Sequence, residues 1–144
     1  MPELPEVETI ARELKKKIVG LKITDVWADR EKPFRQLDGL NKFLKEVKDR
    51  KIVDVRRRAK FVVLDLDGPK MIFIHQKISG HLLYGQWGMR NGRWEAKEKG
   101  PLRDDLRNQY IRIIFFLNNG YQMALSDLRR SGKVMLVGDK EIEN

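Results

Sequence analysis

The chain has 144 residues, 41% of them apolar, which suits one domain with a core of useful size. No apolar run approaches the roughly 18 residues of a membrane-crossing helix, and an N-terminus carrying Glu3, Glu6 and Glu8 is unlike a signal peptide, so a cytoplasmic protein with no membrane partner is expected. The 30 Lys and Arg against 21 Asp and Glu give a net charge of +9 and favour a polyanionic partner, nucleic acid first, while the lack of cysteine excludes disulfides and any thiolate zinc site built from this chain.

In chain order, Pro5 suits the first turn of a helix, where its missing N–H costs nothing, and Glu6 and Glu8 sit where the helix dipole favours acids. Val7, Ile10, Ala11, Leu14 and Ile18 recur at helical spacing until Gly20 ends the run. A strand is expected over Leu21–Trp27, then a second short amphipathic helix at roughly 37–48 carried by Leu37, Leu40, Phe43, Leu44 and Val47. Further strands are predicted at Lys51–Arg57, Lys60–Leu66, Met71–His75, His81–Tyr84, Gln109–Leu117, Gln122–Leu125 and Lys133–Val137. Asp67-Gly68 and Asn118-Asn119-Gly120 are tight-turn signals between strands, and the polar, Gly-rich stretch Gly85–Leu106 is expected to be a mobile loop or loose hairpin. The pattern predicts an α+β fold: a two-layered, mostly antiparallel β-sandwich of about eight strands, flanked by an N-terminal helix and a second short helix. Basic residues cluster between Lys42 and Lys60, where nine of them face only Glu46, Asp49 and Asp54.

The first residues carry the most chemistry. Removal of Met1 makes Pro2 a free secondary amine, with the carboxylate of Glu3 beside it. An α-amino group has a pKa of about 7.7–8.0, so an appreciable fraction is an unprotonated nucleophile near neutral pH. A secondary amine forms a charged iminium directly, a good electron sink, and the ring restricts the geometry of attack. With Met1 retained, the same nitrogen is a tertiary amide and cannot attack. By itself, Pro followed by Glu is equally an ordinary helix start.

Met1–Thr9 (MPELPEVET) resembles the start of the formamidopyrimidine-DNA glycosylase family, matching its motif at Pro2, Glu3, Leu4, Pro5, Glu6, Val7, Glu8 and Thr9. The related endonuclease VIII branch usually carries glycine at the position of Leu4. The resemblance implies a bifunctional DNA glycosylase and AP lyase of base excision repair that excises oxidised purines, 8-oxoguanine and formamidopyrimidines. Pro2 attacks C1′ of the damaged nucleotide, a Schiff base forms, and β,δ-elimination cuts the strand on both sides. Glu3 then protonates the opening sugar ring and shuttles protons, and Glu6 supports the site, a role compatible with that of a helix N-terminal acid.

Arg58-Ala59-Lys60-Phe61, followed by Val62–Leu66, resembles the family's hairpin-lysine segment, which implies that Lys60 binds phosphates around the lesion and assists base release. Without that frame it is one of many solvated cations. A glycosylase must rotate its target nucleotide out of the stack and fill the gap. The family does so with a Met in a His-Leu-Gly-Met-Ser-Gly-like segment, here His75-Gln76-Lys77-Ile78-Ser79-Gly80, and with an Arg and a Phe in an Asp-Pro-Arg-Arg-Phe-Gly-like segment, here Asp127-Leu128-Arg129-Arg130-Ser131-Gly132. Ile78 takes the Met position and Arg129, followed by Arg130, the place facing the orphaned base, but Ser131 stands where the family has Phe and cannot wedge. The family's Lys-His-Asp-His-like segment is altered to Gln109-Tyr110-Ile111-Arg112, leaving Tyr110 and Arg112 as phosphate contacts. His75 is either a phosphate contact or a strand-end histidine bonded to backbone.

The resemblance covers essentially all 144 residues but only about the first half of a full-length member, so a fragment of a complete glycosylase is expected. The helix–two-turn–helix and the zinc finger belong to the other half, so no metal or cofactor is expected in this chain, whereas a full-length member is expected to bind one zinc. The implied partner is damaged double-stranded DNA, bound by a monomer without an obligate protein partner and associated with the bacterial nucleoid. The leading alternative is a non-catalytic or weakened DNA-binding fragment. A third reading, a basic RNA-binding or ribosome-associated domain, explains the charge but not MPELPEVET.

Overall fold

Val7, Ala11, Leu14 and Ile18 all lie buried on one face of helix α1 (Leu4–Ile18), as their spacing requires. The computed structural model describes residues 4–76, 80–97, 102, 105–130 and 132–138. Eight strands form two antiparallel four-stranded sheets. One runs β1 (Ile23–Ala28), β8 (Ile111–Leu117), β9 (Gln122–Asp127), β5 (Gly80–Gly85); the other runs β10 (Lys133–Gly138), β4 (Lys70–His75), β3 (Phe61–Leu66), β2 (Ile52–Arg58). The predicted sandwich is thus present, and its register follows the period-2 pattern: Val62, Leu64 and Leu66 of β3 and Ile72 and Ile74 of β4 join the core that also holds Met123 and Leu125 of β9.

The helices close the open sides. Helix α1 packs along β2, β3 and β5, so it covers the side where the edge strands β2 and β5 meet. Helix α2 (Leu40–Val47) and the 3-10 helix Lys32–Leu37 contact β1 and β10, the opposite edges. There Phe34 stacks obliquely on Phe43 at 5.1 Å, and Phe43 meets Phe115 of β8 at 6.3 Å. The second helix is shorter than the expected 37–48 because Asp38 (φ 61°) and Gly39 (φ 97°) are both left-handed, which separates the 3-10 turn from α2. Glu31 then caps α2 from outside, its carboxylate accepting the Leu40 N–H at 2.9 Å.

Gly85–Leu106 is more ordered than a loop through part of its length. Trp87–Arg90 and Arg93–Ala96 form a hairpin, β6 and β7, joined by Asn91 (φ 52°) and Gly92 (φ 77°). It lies on the outer face of the β1-β8-β9-β5 sheet, where Trp87, Ile111, Ile114 and Ala124 form a second apolar cluster with Trp27, Trp94 and Phe116. Every residue of β9 is buried, since that strand faces the main core on one side and this cluster on the other. The expected strand Gln109–Leu117 begins only at Ile111. The five residues before it, Leu106–Tyr110, form a 3-10 turn capped by the Asp105 side chain accepting the Arg107 N–H.

Candidate functional site

Lys60 sits in the two-residue connection between β2 and β3, where Arg58 pairs with Phe61 and Ala59 takes a φ of 51°. A left-handed alanine is strained by roughly 1–2 kcal/mol, so other contacts must hold the turn. Arg57 supplies them: its Nη1 donates to the Ala59 carbonyl at 3.0 Å and its Nε to Glu8 Oε2 at 2.9 Å. Glu8 belongs to the second turn of α1 and also meets Arg12 at 3.5 Å. One carboxylate of the MPELPEVET stretch therefore fixes the lysine hairpin against the N-terminal end of α1, where Glu6 is exposed.

The same end of the sandwich gathers the other called residues. Across the β2-β3-β4-β10 sheet, Arg58, Phe61, His75 and Lys133 form one row. The His75 ring is edge-on to Phe61, with centroids 5.0 Å apart, so packing sets its orientation. In the other sheet, Gly80 pairs with Asp127, and His81 and Ile111 both pair with Ser126. Short connections from His75 to Gly80 and from Asp127 to Lys133 join the two rows.

Asp127 organises that second connection. It is buried, Oδ1 accepts the Arg129 N–H at 3.2 Å, and Oδ2 accepts the Gly132 N–H at 2.6 Å. Its carbonyl accepts Arg112 Nε at 2.9 Å and the Arg130 N–H at 3.3 Å. The turn so formed presents Arg129 and Arg130 outward together with Leu128, an apolar side chain 55% exposed. Asp29 draws the cations together: it accepts Arg130 Nε at 2.9 Å and lies 3.5 Å from Arg112 Nη1. Tyr110 lies 5.8 Å from the Arg112 guanidinium. Burial, and then the neighbouring charge of Arg130, depress the Arg112 pKa, opposed by the carboxylates of Asp29 and Asp127. Burial also lowers the pKa of His81, aided by Arg107 and opposed by Asp105, Glu6 and Asp127.

Seven called residues, Glu6, Lys60, His75, Tyr110, Arg112, Arg129 and Arg130, thus converge on one end of the fold, contributed by both sheets and α1. Pro2, Glu3 and Ile78 lie outside the described residues, as does Ser131. Sequence reasoning did not single out Glu8, Asp29, Asp127 or Leu128 as parts of this site. For Asp127 a local signal existed, an Asp opening a short turn before Gly132; Asp29 is 83 and 101 residues from its partners, and no local pattern reveals it. Among the described residues no three His, Asp or Glu side chains come together to hold a metal ion.

Fold and charge define a helix-flanked β-sandwich with a cation-rich end, a class suited to a polyanionic ligand. The model of the formamidopyrimidine-DNA glycosylase N-terminal domain matches residues 1–134, and the chain belongs to that family. The formamidopyrimidine-DNA glycosylase of Pelotomaculum thermopropionicum is 35% identical over 137 residues, covering 95% of this chain and 44% of that protein. The corresponding protein of Rickettsia africae is 31% identical over 134 residues, 93% of this chain and 42% of its own length. A structure of MutM in complex with DNA containing carbocyclic 8-oxo-G aligns with a TM-score of 0.78 at 25% identity, over 99% of this chain and 47% of that one. The chain spans less than half the length of each of these proteins.

Proposed function

We propose that this chain carries the catalytic half of a DNA glycosylase and AP lyase acting on oxidised purines in duplex DNA. One observation supports it most: Glu8 and Arg57 lock the Lys60 hairpin to the N-terminal end of α1, where Glu6 is exposed. A nucleophile at the chain terminus needs the DNA backbone held beside it, and a cation fixed to the helix start provides that.

In this reading the lone pair of the Pro2 nitrogen attacks C1′ of the damaged nucleotide, and the bond from C1′ to the base breaks. The base leaves and takes up the proton that the Pro2 nitrogen loses. Glu3 donates a proton to the ring oxygen as the sugar opens, giving an iminium between Pro2 and C1′. That electron sink acidifies the C2′ proton; its removal expels the 3′ phosphate, and a second elimination expels the 5′ phosphate. Lys60 holds phosphate, and Glu6 supports the acid–base site. Arg129 and Arg130 face the duplex from the Asp127 turn, and Leu128 supplies there an apolar side chain able to enter the base stack.

The Pro2→Gly variant tests the assignment. Borohydride trapping on an abasic-site duplex is lost while duplex affinity stays within twofold. Trapping that survives in Pro2→Gly contradicts the Pro2 role. Trapping absent from the unsubstituted chain, with its terminal amine free, favours the non-catalytic binding reading. Tighter binding of RNA than of damaged duplex at matched salt counts against a glycosylase altogether.

A further inference from the structure

The hairpin β6–β7 leaves a cleft of about 840 Å³ between itself, the end of β1 and the segment 108–112. That volume lies within the range of small-molecule sites. Three aromatic rings line it, Trp27, Trp94 and Tyr110, together with four arginines, Arg90, Arg93, Arg112 and Arg130, and two carboxylates, Asp29 and Glu95. The Lys60 hairpin contributes nothing to it.

Four observations point to what the cleft takes. Trp27 and Trp94 meet edge to face, 5.3 Å apart at 69°, and Trp94 leans on Phe116, so the rings are fixed rather than adaptable. Trp94 is only partly buried, so its ring offers surface to the cleft, while its indole Nε1 is closed off from it and has no hydrogen-bond partner among the described residues. Arg90 and Arg93 face one another directly across the two strands, a like-charge pair that costs stability unless an anion joins it. Neither has an ion-pair partner among the described residues. Asp29 is already engaged by Arg112 and Arg130, which leaves Glu95 as the other carboxylate lining the cleft against two hairpin arginines.

Aromatic ring surface and adjacent guanidinium groups fit a nucleotide: a base to stack and a phosphate for the arginines. We propose that this cleft, which shares Tyr110, Arg112 and Arg130 with the cation-rich end but nothing with the Lys60 hairpin, binds a nucleotide of its own, taking one unstacked nucleotide with its base against Trp27, Trp94 and Tyr110 and its phosphate at Arg90 and Arg93. It goes beyond the glycosylase reading and does not require Pro2 chemistry. The unstacked nucleotide comes either from a single strand or from solution as a monophosphate. An acidic peptide supplies charge but no base.

Tryptophan fluorescence of the full chain reports occupancy, because Trp27 and Trp94 line the cleft whereas Trp87 is buried with its Nε1 donating to Asn108. Oligothymidylate quenches the emission saturably. The double variant Arg90→Gln/Arg93→Gln, altered only at exposed positions, binds roughly tenfold more weakly, and its log–log salt dependence is shallower by about 0.7, the slope of one single-strand phosphate contact. Trp94→Ala, which removes a ring that lines the cleft, weakens binding several-fold. Thymidine monophosphate run in parallel identifies the source: saturation only by the oligonucleotide assigns a strand, and equal saturation by the monophosphate assigns a free nucleotide. Absence of saturable quenching, unchanged binding in the arginine double variant, or equal affinity for polyglutamate overturns the site. Pro2→Gly leaves the quenching intact, so failure of the catalytic reading and failure of this one are separable.

Discussion

Two hairpins in this molecule present cations, and they are held by opposite means. The β2–β3 hairpin, with Lys60 at its tip, is fixed by polar contacts that reach into α1: Arg57 bonds the turn carbonyl and Glu8 together. The β6–β7 hairpin, with Arg90 and Arg93 beside its Asn91-Gly92 turn, is fixed by Trp87 and Trp94 packed on the outer face of a sheet. The first arrangement sets the position of the Lys60 turn relative to the start of α1, which suits chemistry. The second offers ring faces and guanidinium groups around a cleft, which suits binding. Cations of one sign on one fold are thus separated by what anchors them.

Substitutions that remove one anchor at a time should affect the two hairpins independently. The largest effect is expected from Trp87→Ala, which removes a ring only 1% exposed from under β6. A loss of about 3–5 kcal/mol in denaturant unfolding is expected, with faster amide exchange in β6 and β7. Exchange at Phe61–Leu66 changing as much as in the β6–β7 hairpin would show that the two are not separately anchored.

Arg57→Met is next. Its ion pair with Glu8 joins side chains 31% and 41% exposed, so the stability loss is only about 1 kcal/mol. The rate of covalent trapping should nevertheless fall at least tenfold, because the turn that carries Lys60 loses its brace. A loss of stability without a change in trapping removes Arg57 from the positioning role. Lys60→Ala is smaller in stability but specific in ionic response: the log–log salt slope of duplex binding should fall by about 0.9, one phosphate contact. An unchanged slope means that Lys60 does not touch the backbone.

The smallest effect concerns His81, near the junction of the two sheets. Burial lowers its pKa below the ordinary value of 6.5, so the unfolded chain binds the proton more readily. Stability is therefore unaffected above about pH 6.5 and declines as pH falls through that value toward the lower folded one. The melting temperature of His81→Gln should drop less between pH 7 and pH 5.5 than that of the unsubstituted chain. Equal pH slopes would show that the imidazole does not titrate in that window.

What the sequence disclosed follows the range of the interactions involved. Periodic apolar residues place α1, because burial of one face imposes that period, and short apolar runs bounded by turn residues place the eight strands of the sandwich, of which β9 is buried on both faces. The β6–β7 hairpin was legible too: Asn91-Gly92 between Trp87 and Trp94 is a hairpin signal, masked by the glycines and charges around it. The short break at Asp38-Gly39 depends on backbone angles that alternating composition does not specify. At the candidate site, Lys60, Arg129 and Arg130 stand in motifs, and so do Glu8 and Asp127, but no motif says which cation each carboxylate orients, and Asp29 stands in none. Glu8 lies 49 residues from Arg57, and Asp29 lies 101 residues from Arg130, so only the folded chain joins them.

The most direct measurement is borohydride trapping of this chain on an abasic-site duplex, with mass spectrometry locating the adduct. The account predicts a single adduct on the Pro2 nitrogen of a chain lacking Met1, with Lys60 unmodified. An adduct on a lysine, or none from a chain whose Pro2 amine is free, contradicts it.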